Sequence, residues 1–307
     1  NVPEAMTENT VTGMVTKVQR MSIHDGPGIR TTLFLKGCNF RCRWCHNPET
    51  WRREAQLERI AERCIACGAC VPVCRTGALR PEEGGIGIDR ERCDACGLCA
   101  AVCPARAMHL VGREVSADGL MRELRRDVPY FEESGGGVTL SGGEPLLQPA
   151  FVREVLSRCR AEGIPTAVET NLSVPSELIE ELLPLVGLWM CDLKLADDSR
   201  HRRWTGMSNA RTVANLRLLG RSGVPLIVRT PVVPGVNDTP EAIGAVCALL
   251  KDLEGLLYYE LLGFHTLGAD KYACLGMENP MPGAEPLPPE RLERLREAAA
   301  ATGIKVK

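Results

Sequence analysis

Several features that the sequence lacks exclude whole classes of function. The chain has 307 residues but no apolar run of about 18 residues, so we expect no transmembrane helix. Its formal net charge is −2, and this lack of basic surplus argues against bulk binding of nucleic acid. Residues 1–10 lack the charged-then-apolar pattern of a secretory signal. The chain has 44% hydrophobic and 25% charged residues, which is the balance of a globular protein.

Cysteine, in contrast, is abundant. Fifteen cysteines are present, and eleven of them fall between Cys38 and Cys103, mostly in closely spaced runs. Such neighbouring thiols suit metal ligation better than disulfides in a chain without an export signal, so we expect a protein of a reducing, anaerobic cytoplasm. The others lack a partner at ligand spacing and are predicted to be buried or idle thiols: Cys159, Cys191, Cys247 and Cys274.

The segment 38–45 carries the chemistry around which the chain is organised. It holds Cys38, Cys42 and Cys45 at spacings of four and three residues. A cubane 4Fe–4S cluster normally takes four thiolates. Three would leave one iron open, as catalytic metal sites do. The alternative is a zinc site or free thiols, but His46 directly follows Cys45 and is poorly placed to share one tetrahedral ion with it.

Two matched cysteine runs follow within residues 52–112. Each has the spacing Cys-x2-Cys-x2-Cys-x3-Cys of bacterial two-cluster ferredoxins, in which the fourth Cys of each run serves the other cluster. The predicted ligand sets are Cys64, Cys67, Cys70 with Cys103, and Cys93, Cys96, Cys99 with Cys74. Arg75 stands where the first run would usually have Pro. Two structural zinc knuckles are the alternative, but they would need no internal repeat. We predict an inserted ferredoxin-like domain with two 4Fe–4S clusters that transfers electrons.

Elsewhere, strand patterns alternate with helix patterns, which predicts βαβ units and a parallel α/β sheet. The predicted strands are 31–35, 138–140, 164–168, 188–192, 225–229 and 256–262. Six strands are too few for a closed eight-stranded barrel and fit a partial (β/α)6, TIM-like barrel. The predicted domains are 15–51 (first part of the barrel, with the cysteine loop), 52–112 (the ferredoxin-like insertion) and 113–307 (the remainder of the barrel).

The spacing of the first three cysteines, with an aromatic residue before the last, resembles the signature of the radical S-adenosylmethionine (SAM) superfamily. In that family the open iron takes the amino and carboxylate groups of SAM, and the cluster's electron cleaves SAM to methionine and a 5′-deoxyadenosyl radical. Five segments also resemble the glycyl-radical-enzyme activating enzymes in order and spacing, namely 25–30, 45–49, 141–145, 190–194 and 262–265. The insertion resembles the branch that activates lyases, dehydratases and decarboxylases.

The resemblance implies the SAM-binding residues. Gly142, Gly143 and Glu144 would meet the SAM amino group, since glycines let the backbone approach a ligand and a carboxylate suits an ammonium. The other implied SAM contacts are Asp192 and Lys194 at the ribose and carboxylate, His265, and Trp44 beside the adenine. Asp192 and Lys194 share one face of a strand. The alternatives are a surface ion pair for these two, core packing for Trp44 and a structural role for His265.

The resemblance also implies a cation site and a contact with the protein substrate. In relatives, the region of Glu169, Met190 and Asp192 holds a monovalent cation beside the SAM carboxylate, although the family often has Asp where this chain has Glu169. The segment Asp25, Gly26, Pro27 and Gly28 would lie near the mouth of the barrel and touch the incoming loop. Arg229 would reach this loop or SAM, or form a structural ion pair.

The chain is therefore identified as a member of the radical SAM activating enzymes, oxidoreductases that install a glycyl radical on a partner enzyme. The resemblance implies three 4Fe–4S clusters, SAM and a monovalent cation as cofactors. It implies a glycyl radical enzyme as protein substrate, a flavodoxin or ferredoxin as reductant, and a monomer. Many Ala, Arg and Leu residues suggest a sulfate-reducing bacterium and isethionate sulfite-lyase as the partner. Two alternatives remain open: a radical SAM enzyme acting on a small molecule or tRNA, and a non-enzymatic electron carrier.

Overall fold

The computed structural model describes residues 10–307, so most of the N-terminal segment 1–10 lies outside the described residues. The strands are β1 (Thr12–Ser22), β2 (Arg30–Leu35), β3 (Gln56–Arg59), β4 (Leu79–Glu82), β5 (Gly85–Ile88), β6 (Met108–Val111), β7 (Arg113–Ser116), β8 (Gly137–Gly142), β9 (Thr166–Thr170), β10 (Leu188–Asp192), β11 (Leu226–Val232) and β12 (Leu256–Gly263). The helices are α1 (Leu98–Ala101), α2 (Ala117–Leu124), α3 (Val128–Ser134), α4 (Pro149–Ala161), α5 (Ser176–Leu182), α6 (Asp198–Thr205), α7 (Ala210–Ser222), α8 (Pro240–Leu250), α9 (Ala269–Cys274) and α10 (Pro289–Ala300).

The main sheet has eight strands in the order β12-β11-β10-β9-β8-β2-β1-β7. The strands from β12 to β2 run parallel to one another, and β1 pairs antiparallel with both β2 and β7. The parallel α/β sheet expected from the sequence is therefore confirmed. Strand boundaries differ from the predicted ones by up to three residues. For example, β9 begins at Thr166 rather than residue 164, because the Ile164 amide closes α4 on the Cys159 carbonyl and Pro165 has no N–H.

Side chains along each strand point alternately to the two faces of the sheet. One set faces the core under the helices, and the other faces the concave side. In β10, Trp189 and Cys191 are buried in the main core, where they pack against the surrounding helices. Met190 belongs to a separate buried cluster, and Asp192 follows it on the same side because strand side chains alternate. Parallel strands end at the same edge, so this face collects the polar residues that follow each strand.

Helix α6 is not indicated by the hydrophobic pattern of the sequence. Its sequence is almost entirely polar, and only His201 and Thr205 are buried, so it lacks the apolar periodicity that marks a helix. The helix begins where the Asp197 side chain accepts a hydrogen bond from the Arg200 amide, and it ends at Gly206, which has a left-handed backbone. Local capping therefore defines this helix better than hydrophobic pattern does.

The segment between β2 and β7 forms two small antiparallel sheets outside the main one, β3 with β6 and β4 with β5. Its two halves repeat at a spacing of 29 residues, the distance from Cys64 to Cys93, so β3 corresponds to β5 and β4 to β6. The chain then returns to the main sheet through β7. No helix within residues 10–307 is long and apolar enough to cross a bilayer.

Candidate active site

A cavity of about 590 Å³ lies at the carboxyl end of the parallel strands. Each of the six parallel strands, or the residues directly after it, contributes to its wall. The loop after β2 forms a further part of the wall and brings Cys38, Cys42 and Cys45 into it. The three thiols of the predicted open cluster therefore face the same space as the polar strand ends.

The cysteine loop is held from several sides. The Arg41 and Arg43 amides donate to the Thr205 and Trp204 carbonyls at the end of α6, at 2.7 and 3.0 Å. The Tyr272 hydroxyl donates to the Cys45 carbonyl at 2.9 Å. Contacts from α6 and α9 thus fix the loop before any ligand binds.

The donor set fits an iron–sulfur cluster. Burial raises the pKa of Cys38 to about 12 and also raises the pKa of Cys42 and Cys45, so these thiols would be inert unless a metal deprotonates them. The Asn47 amide points at the Cys45 sulfur at 3.4 Å, the kind of hydrogen bond that tunes cluster potentials. Across residues 10–307, no three His, Cys, Asp or Glu side chains converge on a point suited to a single ion. A cubane would engage the thiolates at separate irons.

Gly142 and Gly143 line the cavity, and both must be glycine for packing reasons too. A Cβ on Gly142 would lie 2.2 Å from the Leu35 carbonyl oxygen, and Gly142 has a φ of +122°. A Cβ on Gly143 would lie 2.3 Å from the Gly37 carbonyl oxygen. The glycines therefore let β8 approach β2 and the start of the cysteine loop, and they leave bare backbone at the cavity.

Glu144 is fully buried and does not line the cavity. Its carboxylate accepts hydrogen bonds from the Thr170 hydroxyl at 2.9 Å and from the Asn171 and Leu146 amides at 2.8 and 3.0 Å. Burial raises its pKa to about 7, although these donors act in the opposite direction. The Asn171 side chain donates to Asn39 in the cysteine loop at 2.9 Å. In this geometry Glu144 positions the loop, and its contact with the SAM amino group stays a prediction.

Asp192 and Lys194 form an ion pair inside the cavity, not on the surface. The Lys194 Nζ lies 2.9 Å from Asp192 Oδ2, and the two side chains are 13% and 22% exposed. Burial alone would lower the pKa of Lys194, but the Asp192 carboxylate together with the Cys42 and Cys38 sulfurs outweighs this effect and raises the pKa. Lys194 therefore keeps its positive charge beside the three cysteines.

A second charged group joins residues of β9, β11 and β12 and reaches across β10, which lies between β9 and β11. The Arg229 guanidinium lies 3.0 Å from Glu169 Oε1 and 2.9 Å from Glu260 Oε2. The Ser141 hydroxyl donates to the other Glu169 oxygen at 2.7 Å. Arg229 is thus an ion-pair residue in the cavity wall. Sequence reasoning missed Glu260, whose signal was a lone carboxylate in an otherwise apolar strand.

Aromatic and imidazole side chains form another part of the cavity wall. His265 lines it and stacks on His46, with ring centroids 3.9 Å apart, while His46 Nε2 lies 2.7 Å from the His265 carbonyl oxygen. Trp44 is buried against Trp204 and also lines the cavity, and its contact with the adenine stays a prediction.

Of the segment 25–28, Asp25 lines the cavity. Its carboxylate accepts hydrogen bonds from the Ser22 and Thr32 hydroxyls at 2.5 and 2.8 Å. Gly26, Pro27 and Gly28 do not line the cavity, and a Cβ on Gly28 would lie 2.5 Å from the Gly136 amide. These three residues form the turn that carries Asp25, and their contact with a partner stays a prediction.

Comparison with known proteins places this geometry in a family. A model of the radical SAM superfamily matches residues 92–244, a 4Fe–4S dicluster domain matches 63–107, and a 4Fe–4S single cluster domain matches 24–73. The chain is 41% identical to the isethionate sulfite-lyase activating enzyme of Nitratidesulfovibrio vulgaris, over 97% of this chain and 98% of the relative. The chain belongs to the radical SAM activating enzymes of glycyl radical enzymes.

Other relatives in this activating-enzyme family are about as similar. The benzylsuccinate synthase activating enzyme of Thauera aromatica is 40% identical, with 95% of this chain and 91% of the relative covered. The (2S)-3-sulfopropanediol dehydratase activating enzyme of Klebsiella oxytoca is 41% identical, with 86% of each chain covered. A radical SAM methyltransferase structure from Sphaerobacter thermophilus shares the fold, with a TM-score of 0.53 at 16% identity over 97% of this chain and 76% of that one.

The segment between β2 and β7 of this activating enzyme brings its eight cysteines into two groups. One recess is lined by Cys64, Cys67, Cys70 and Cys103, and another by Cys74, Cys93, Cys96 and Cys99. These groups are the two ligand sets predicted from the sequence.

Backbone geometry in the insertion follows the same repeat. The Ala78 and Ala107 amides, 29 residues apart, point at the Cys74 and Cys103 sulfurs at 3.3 and 3.2 Å. The thiols and the amides directed at them suit two iron–sulfur clusters. The four remaining cysteines lie elsewhere: three are buried in the main core, and Cys274 is partly exposed.

Proposed function

We propose that this chain removes an α-hydrogen from a glycine of a partner enzyme and so leaves a stored glycyl radical there. One observation carries the proposal: a single cavity collects the three loop cysteines, the Gly142–Gly143 backbone and the Asp192–Lys194 pair. When bound together, the cluster and SAM supply the electron and the radical for this reaction. The residues of the chain bind and orient these groups and exclude water.

The cavity residues divide the binding of SAM among them. Bare backbone at Gly142 and Gly143 offers carbonyl oxygens to an ammonium group, and the Lys194 charge suits a carboxylate. Asp192 would accept a hydrogen bond from a ribose hydroxyl, and Trp44 and His265 would flank the adenine. Asp25 faces the same cavity and would meet the incoming glycine loop. Replacing Lys194 with Met should weaken SAM binding, measured by calorimetry on the reconstituted protein.

We assign residues 15–51 and 113–307 to a partial six-unit barrel and 52–112 to a ferredoxin-like insertion with two 4Fe–4S clusters. The dicluster family match and the two cysteine recesses support this division. With the cluster of the cysteine loop, the chain would hold three clusters. The insertion would pass electrons from a flavodoxin or ferredoxin to the cavity. Eleven cluster cysteines suit a reducing cytoplasm, and we propose a monomer.

The family resemblance implies a monovalent cation near Glu169, but in this structure the Arg229 guanidinium pairs with that carboxylate. We propose that Arg229 supplies the positive charge there and that any cation beside the SAM carboxylate would bind Asp192. Measuring SAM affinity after sodium and potassium are exchanged for tetramethylammonium distinguishes a role of Arg229 from a bound cation. Unchanged SAM affinity supports the role of Arg229, and a loss of affinity supports a cation.

The partner is the least determined part of the function. Three relatives at 41–42% identity are named for isethionate sulfite-lyase, so we propose this enzyme first. The relative named for (2S)-3-sulfopropanediol dehydratase is equally similar at 41%. Incubating the reduced protein and SAM with each partner, and recording the glycyl radical by electron paramagnetic resonance (EPR), distinguishes them. SAM cleavage that no glycine-loop peptide stimulates would instead favour a small-molecule or tRNA substrate.

A further inference from the structure

A second large cavity, of about 450 Å³, separates the cysteine loop from the insertion. Its wall on the loop side includes Arg41, Pro48 and Trp51. Its wall on the insertion side includes Arg90, Cys93 and Ala95. Cys93 belongs to the second ligand set, and no residue of the first set lines this cavity. The two cluster sites of the insertion are therefore not equivalent with respect to the cysteine loop.

Trp51 connects this cavity with the thiols of the loop. Its carbonyl oxygen accepts a hydrogen bond from the Cys38 amide at 3.4 Å, and its side chain lies close to the Cys45 thiol. The Arg41 guanidinium lies 5.5 Å over the indole ring, and Tyr272 meets the ring edge-on at 5.7 Å. The indole is therefore fixed between the loop cysteines and the space that Cys93 faces.

Two side chains, the buried Lys36 and the half-buried Arg90, hold the insertion in this orientation. The Lys36 ammonium donates to the Glu49 carbonyl, to the Arg52 carbonyl at 3.0 Å and to the Gln56 side chain at 2.7 Å, which ties the first stem of the insertion to β2. Arg90 donates to the Leu57 carbonyl and to the Cys274 carbonyl at 3.0 Å. The face that carries Cys93 is thereby held toward the cysteine loop.

We propose that the site of Cys74, Cys93, Cys96 and Cys99 is the immediate electron donor to the cysteine loop, across Trp51. The site of Cys64, Cys67, Cys70 and Cys103 is then the entry point for the external reductant, where Ile65 is 66% exposed beside the exposed Cys67. One electron passes at each step, and the reductant, a low-potential flavin or iron–sulfur protein, is oxidised. This order rests on the proposed function of the insertion as an electron relay.

Matched variants at repeat-equivalent positions test the order. Cys96→Ala and Cys67→Ala each remove one ligand, 29 residues apart in the repeat. The reconstituted holoenzymes are reduced with dithionite, and the spin relaxation of the cysteine-loop cluster is measured by EPR. Its signal is identified by its loss in Cys42→Ala. A neighbouring paramagnetic cluster accelerates relaxation, so Cys96→Ala should slow it and Cys67→Ala should leave it at the wild-type rate. The reverse pattern, or equal slowing in both variants, would overturn the order.

A second measurement does not depend on removing a cluster. Trp51→Leu should slow reduction of the cysteine-loop cluster by a flavodoxin hydroquinone severalfold in stopped flow, with iron content unchanged. Trp204→Leu is the matched control, since Trp204 also packs on the loop but does not line the second cavity. Equal rates in the two variants would contradict a path across Trp51. Neither measurement requires SAM cleavage, so a failure of the proposed function would show separately, as missing 5′-deoxyadenosine.

Discussion

Replacing Arg229 with Met tests the charge arrangement in the cavity wall. The Arg229 side chain is 6% exposed and pairs with Glu169 and Glu260, which are 23% and 16% exposed. Its removal leaves two largely buried carboxylates without a counter-charge. Removing one partner of a buried ion pair costs about 3–5 kcal/mol. The partial exposure of both carboxylates favours the lower end, which corresponds to a fall in melting temperature on the order of 5–10 °C.

The assay compares melting temperatures of reconstituted variants under anaerobic conditions. Arg153→Met is the matched control, because Arg153 pairs with Glu181 on the surface at 44% and 45% exposure, and such pairs contribute about 0–1 kcal/mol. Adding Glu169→Gln and Glu260→Gln to the Arg229→Met variant should restore most of the loss, since amides need no counter-charge. Equal melting of Arg229→Met and Arg153→Met would refute the reasoning.

The pH dependence of the same variant follows from the direction of one pKa. Burial raises the pKa of Glu169, and Arg229 lowers it, so the variant should have a still higher pKa at this carboxyl. A carboxyl whose pKa is higher in the folded state than in the unfolded state stabilises below its unfolded pKa and loses this contribution as pH rises. The melting deficit of Arg229→Met should therefore grow with rising pH. A deficit that shrinks with rising pH would contradict this.

Three further predictions concern the loop and its supports. Glu144→Gln should lower the free energy of unfolding by about 1–3 kcal/mol and lower the iron content, because the Asn171 amide loses a charged acceptor. A weaker SAM affinity with an unchanged melting temperature would instead show direct contact with SAM. Gly143→Ala should abolish SAM binding in calorimetry, since its Cβ would collide with the Gly37 carbonyl, and wild-type affinity would refute this. Cys42→Ala should abolish SAM cleavage while leaving two clusters by iron count, and residual cleavage would remove Cys42 from the ligand set.

The sequence predicts those features of the fold and the site that depend on local residue patterns. The parallel strands follow from short apolar runs with turn residues between them. The cysteine spacing groups the thiols of the insertion as the structure does, because each set is assembled from one repeated loop. The polar ends of β8 to β12 meet at one cavity because parallel strands end at the same edge of a sheet.

What the sequence does not predict depends on contacts between distant segments. Glu169, Arg229 and Glu260 come from β9, β11 and β12 and meet in front of β10, and nothing in their local sequence indicates a pair. Glu144 turns away from the cavity because its side chain accepts the Leu146 amide at the start of a short helical turn. The position of Trp51 between the two cysteine regions depends on how the insertion is oriented, which spacing alone does not determine.

The most direct test of the account is one anaerobic sample measured twice, once for iron and once for SAM consumption under dithionite. The account predicts about twelve irons per chain, as expected for three cubane clusters, together with 5′-deoxyadenosine. About eight irons and no 5′-deoxyadenosine would mean that Cys38, Cys42 and Cys45 do not hold a cluster that cleaves SAM. That result would contradict the proposed activating function.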